Sequence, residues 1–189
     1  MTVDEIYRDL SAHMIQGMMF HEQLANYYDF LGLEGYKRCH EYHFFEETCG
    51  YRKLCRYFIN HHSKLVPYKE VDDPGVIPDS WYKYERQDVD AGTKKNAVKS
   101  GLERWVNWER ETKKFYESMY RELINIGEVA SAKFLCDYIE DVDVELKYAE
   151  RYHISKASTG YDMVYIIEEQ PKKHELYKDK LKGALDCLC

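Results

Sequence analysis

Apolar side chains recur along four stretches of this chain at alternating steps of four and three, the spacing that lines up one face of an α-helix. Ile6, Leu10, His13, Gly17, Phe20, Leu24, Tyr27 and Leu31 form the first seam, which predicts an amphipathic helix over 4–31, ended by Gly32 and Gly35. Tyr36, His40, His43, Glu47, Gly50, Leu54, Tyr57 and His61 form the second. It predicts a helix over 34–65 stopped by Pro67, which cannot donate to the helical ladder. Leu102, Trp105, Glu109, Thr112, Tyr116, Met119 and Leu123 mark a third helix over 94–126, broken at Gly127. Ala132, Leu135, Ile139, Val142, Leu146, Ala149 and His153 mark a fourth over 128–154, closed by Thr159 and Gly160. Pro74, Gly75 and Pro78 punctuate the interval 66–79, an extended connection long enough to cross the length of a bundle. Past Gly160 the β-branched run 163–167 reads as helix or strand, and 172–188 as a short fifth helix begun near Pro171. The pattern as a whole predicts an all-α, antiparallel four-helix bundle with a crossover between helices 2 and 3. That domain covers 1–160, and 161–189 is a C-terminal extension whose short helix packs on it.

The middle of the second seam is polar where a bundle helix normally carries Leu, Ile or Val, each of which contributes roughly 1.5–3 kcal/mol when buried. Imidazoles and a carboxylate at His40, His43 and Glu47 must be satisfied by neighbouring helices, coordinate a metal, or turn to solvent.

Charge narrows the classes. The net charge is −7 with Lys and Arg spread along the chain, so no basic stripe offers itself to phosphate backbones and nucleic-acid binding is not expected. No apolar run approaches the roughly 20 residues of a membrane span, and the acidic start lacks a signal-peptide pattern. A cytoplasmic protein without membrane attachment is the expectation. The six cysteines match no metal-knuckle spacing, although Cys187 and Cys189 form a terminal Cys-x-Cys, and reduced, buried thiols are expected. His61 and His62 suit a cationic helix end, and the eighteen tyrosines suit packing. Neither a phosphate-binding glycine loop nor a nucleophile elbow is present.

Two hairpins joined by a crossover, with carboxylates on the inner faces, resemble the ferritin-like superfamily. The stretch Phe134-Leu135-Cys136-Asp137-Tyr138-Ile139-Glu140 is similar to the start of the last long helix of eukaryotic ferritins. Leu102 to Glu109 sits where their third helix carries a metal-binding glutamate, and Glu46-Glu47 with Lys53-Leu54 resembles the second-helix ligand region. The resemblance implies a metal centre built from a carboxylate of the first helix, Glu-x-x-His of the second, a carboxylate of the third, and a carboxylate with a further ligand from the fourth. Carried onto this chain, it points to Glu22, or in another register Gln16, on the first helix and to Glu47 on the second. On the third and fourth helices it points to Glu109, and to Glu140 with Asp143. The chain departs from the pattern at Gly50, which stands where the histidine should be.

His43 and Glu47, four apart on one face, could hold a metal in reversed order, with His40 one turn earlier. Such a mixed imidazole and carboxylate set suits iron, manganese or zinc. Two functions follow from one fold: an interaction or assembly module with a degenerate metal site, acting as a homo-oligomer or on a protein partner, or a di-metal carboxylate protein with oxidase or ferroxidase chemistry.

Overall fold

The structure, a computed structural model, describes residues 1–186. Cys187, Cys189 and the predicted end of the last helix at Leu188 lie outside the described residues. Five helices follow in order: α1 Val3–Phe30, α2 Glu34–His62, α3 Ala91–Asn125, α4 Val129–Ser158 and α5 Met163–Asp186. α1 opens with a capping box: the Thr2 hydroxyl accepts from the Glu5 amide at 3.2 Å, and the Glu5 carboxylate accepts from the Thr2 amide at 2.7 Å. α2 ends earlier than the sequence predicts. Ser63 takes a left-handed conformation at φ 54° and turns the chain out of the helix before Pro67 is reached.

α1 and α2 form one antiparallel hairpin, α3 and α4 the other. Along α1 and α3, Tyr28 faces Gly101, Phe20 stacks on Trp108 and His13 meets Thr112, so these two helices are antiparallel as well. α3 therefore runs parallel to α2, and the connection between them must span the bundle. It does so along α1. Lys64 pairs with Asp4 at 3.1 Å and Lys69 with Asp9 at 3.2 Å. The Val76 amide donates to the Gln23 side chain at 3.0 Å, and the Arg86 guanidinium donates to the carbonyls of Asp29 and Phe30. Two single-turn 3-10 segments, Asp79–Lys83 and Arg86–Asp88, precede the Asp90 cap of α3.

The fifth helix is longer than its sequence suggests. Asp162 starts it, its side chain accepting from the Val164 amide at 2.8 Å, and Pro171 lies inside it. Ile166, within the β-branched run, is fully buried in the core, and that burial outweighs local strand propensity. α5 lies in the groove between α2 and α4. Glu169 accepts from the hydroxyls of Tyr36 on α2 and Tyr152 on α4 and pairs with the buried Lys156 of α4. The Gln170 side chain accepts from the Tyr36 amide at 3.2 Å, and Tyr177 donates to Tyr148 at 2.9 Å. α5 approaches α2 so closely at Gly35 that a Cβ there would stand 2.7 Å from the Gln170 carbonyl oxygen.

Two apolar clusters fill the bundle. One, around Leu24, Tyr28, Leu102 and Trp105, occupies the end where α1 turns into α2. The other, around Ile6, Leu10, Leu54, Phe58 and Leu123, occupies the opposite end. Between them lies a polar layer. No helix among the described residues is long and apolar enough to cross a membrane.

Candidate metal centre

Each of the four long helices sends side chains into the polar layer. α1 contributes His21, α2 His40, His43 and Glu47, α3 Glu109, and α4 Glu145. His21, His40 and Glu109 are each 1% exposed and His43 6%. His40 and His43 are one helical turn apart and so share a face. Glu47, the next turn on, is half-buried and reaches the layer because α1 has no side chain at Gly17: a Cβ there would come within 2.8 Å of the Glu47 carboxyl carbon.

The layer has an inner and an outer part. In the inner part the Nδ1 atoms of His21 and His40 are 3.1 Å apart, one donating to the other, and His21 Nε2 faces Glu109 Oε1 at 3.7 Å. The Trp105 indole N–H donates to the same Glu109 oxygen at 2.8 Å. In the outer part His43 Nδ1 stands 3.3 Å from Glu46 Oε2 and 3.4 Å from Glu145 Oε1. Neither ring nitrogen of His43 makes a hydrogen bond of regular geometry, although both are buried. Tyr42 donates to Glu46 from one turn before. An open cleft of about 780 Å³ leads from the α2 and α4 side, beneath Tyr177 and Lys180 of α5, to His43, Glu47 and Glu145.

Carboxylates outnumber cations here, and the titration of the groups records it. Burial, then the charge of His43, holds His21 and His40 well below the usual imidazole range. Burial, then the negative charge of Glu145, pushes Glu47 up to about 8 and Glu109 well above the carboxylate range. His43 goes the other way: burial disfavours its cation, but the Cys39 thiol, Glu145 and Glu46 together outweigh that and raise it. Among the described residues no Lys or Arg forms an ion pair with Glu47, Glu109 or Glu145. A divalent cation would relieve the crowding of acids that keeps Glu47 and Glu109 protonated, and the donor set of imidazole nitrogens and carboxylate oxygens matches what iron, manganese or zinc bind. The residues therefore fit such an ion.

Of the residues picked out in the sequence, the structure brings His43, Glu47 and Glu109 into the layer, with His40. Glu22 lies exposed on the outer face of α1, and Gln16 faces the crossover, where its amide reaches the Asp72 carbonyl at 3.5 Å. Glu140 is exposed, and Asp143 turns outward to pair with Lys113 and Lys147. Glu145 is what α4 supplies in their stead. Sequence reasoning missed it, together with His21 and Glu46. His21 had a legible signal: it falls in a second row of α1, Met14, Gly17, His21, Leu24 and Tyr28, all buried.

No protein-family model matches the chain, and neither does any curated protein sequence. Its fold is similar to three solved structures. A humanized archaeal ferritin superposes with a TM-score of 0.74 at 16% identity, over 90% of this chain and 94% of that one. A form of the Archaeoglobus fulgidus ferritin engineered to be closed gives 0.71 at 15%, over 90% and 93%. The open-pore ferritin of that hyperthermophilic archaeon gives 0.70 at 15%, over 90% and 93%. Two helical hairpins, a crossover laid along α1 and these superpositions over nine-tenths of the length lead to one conclusion: this chain has the ferritin-like fold.

Proposed function

We propose that the chain is a ferritin-like metal-binding protein whose centre departs from the family pattern by replacing carboxylates with imidazoles. The observation that carries this reading is His43, a buried imidazole whose Nδ1 faces two carboxylates without a regular hydrogen bond. A buried polar atom left in that state costs about 1–3 kcal/mol unless something else satisfies it. The resemblance calls for one ligand from the first helix, two spaced by three from the second, and others from the third and fourth. His21, His40 with His43, Glu109 and Glu145 stand at those places, one turn before the Glu47 and Gly50 register. A bound metal would act as a Lewis acid on what enters the cleft and, if iron, would add one-electron chemistry. His43, Glu46 and Glu145 orient toward it, and the two apolar clusters keep bulk water from either side.

The test is elemental analysis of protein purified without chelator, alongside thermal unfolding. Bound iron, manganese or zinc is expected, and His43→Ala should remove it. At a hundredfold excess over Kd, a ligand of the folded state adds about 2.7 kcal/mol of stability, which that variant would lose. Metal at background in the native chain would favour the interaction or assembly module instead. Steady iron-dependent oxygen consumption would favour a catalytic di-metal protein. Self-association is compatible with either outcome, and Leu65, Tyr68 and Tyr82, exposed along the crossover, are the apolar surface that supports a homo-oligomer.

A further inference from the structure

We infer that the centre takes one divalent ion of the zinc class, held by His43, Glu46 and Glu145, and that a closed hydrogen-bonded chain through His21, His40, Glu109 and Trp105 has replaced a second ion. The inference rests on the metal-binding reading and adds to it the number of ions, their place and their class.

The distances separate the two parts of the layer. Hydrogen bonds to nitrogen or oxygen fall at about 2.7–3.2 Å. Ligands each about 2.1 Å from a tetrahedral zinc are about 3.4 Å from one another. His43 Nδ1 lies 3.3 and 3.4 Å from the oxygens of Glu46 and Glu145, and all three ligand atoms fall within 4.8 Å of each other. That is the edge length of a coordination shell. The His43 nitrogen facing the two acids is buried and has no regular hydrogen bond, so its lone pair remains available. Two carboxylates balance a divalent charge, which removes most of the penalty for placing the ion away from water. Tyr42, donating to Glu46, fixes that ligand from behind. The side chains of Glu46 and Glu145 are 38% and 26% exposed, which gives an ion a route in and leaves a fourth position open to the cleft.

The inner part has hydrogen-bond lengths instead. His21 and His40 meet at 3.1 Å through the same nitrogen of each ring, so one Nδ1 carries the proton and the other accepts it. Neither can ligate through that atom without breaking the pair. Glu109 already accepts from Trp105 at 2.8 Å. These groups satisfy one another, and a second ion would have to displace all of these bonds at once.

The experiment strips the full chain with EDTA, reloads it with excess zinc chloride, and counts zinc per chain after gel filtration, with titration calorimetry for affinity and far-UV circular dichroism to confirm folding. One zinc per chain is expected. Glu46→Gln and Glu145→Gln should each weaken zinc binding tenfold or more, whereas Glu109→Gln should retain one zinc. Two zincs per chain, with one lost in Glu109→Gln, would overturn the single-ion assignment while leaving the metal-binding reading intact. One zinc lost in Glu109→Gln but kept in Glu145→Gln would overturn its place. A folded chain that binds none would overturn both the inference and the reading beneath it.

Discussion

His13 shows how much a single side chain can reveal about pH dependence. Its ring stacks on Trp108 and Phe115, with centroids 5.0 and 4.4 Å away, and its Nε2 pairs with the Thr112 hydroxyl at 2.9 Å. Burial pushes its pKa down to about 4 from an ordinary 6.5. The unfolded chain therefore takes up the proton first, and stability falls as the pH drops from about 6.5 to about 4, with no further loss from this group below that. The difference corresponds to about 3 kcal/mol. Urea unfolding at pH 7 and pH 4 should show wild type losing about that much more than His13→Gln; equal losses would remove His13 from the acid sensitivity. His13 lies on the seam read from the sequence, as do His40, His43 and Glu109, and all four face inward. His21 and Glu145 do not lie on those seams. A helix at the centre of a bundle buries two adjacent rows, and a reading that follows one row leaves the other unseen. Glu47 was visible, but its path into the layer depends on Gly17 across the hairpin, a pairing that no spacing within α2 encodes.

At the level of elements, α5 is attached by a small number of buried polar contacts. Glu169 joins α5 to Tyr36, Tyr152 and Lys156, and Lys156 is fully buried. Glu169→Ala would leave that ammonium without a partner, at a cost of about 3–5 kcal/mol. Hydrogen exchange should then show the amides of α5 losing protection ahead of those of α1 to α4; uniform loss across the molecule would mean that α5 is integral to the bundle rather than docked on it. The long helices were legible because their apolar periodicity runs unbroken for many turns. Their ends were less so, as at Ser63, where a left-handed residue rather than the nearby proline stops α2. The start of α5 was hidden for a physical reason: Val164, Ile166 and Ile167 favour strands locally, and only contact with the core, absent from any local pattern, settles them as helix.

For the whole molecule, the crossover was the feature best anticipated, since a proline-rich interval between two hairpins leaves few ways to close a bundle. The polar layer, placed between two apolar clusters, has a consequence for assembly of the fold itself. Apolar bundle faces tolerate sliding by a turn, because one aliphatic side chain replaces another at small cost. Here a one-turn slip of any long helix would carry an imidazole or carboxyl group out of the layer and into hydrocarbon, at several kcal/mol. The layer thus acts as a key that fixes axial alignment, as a lone polar residue does in a coiled coil. Replacing His21 and His40 by Leu together with Glu109 by Met should raise the unfolding free energy by about 1–4 kcal/mol. It should also multiply the amide resonances as helices sample more than one alignment, and a stabilised variant with a single set of resonances would count against the idea. On this view the interior gives up some stability in order to have one way, rather than several, of putting four helices side by side.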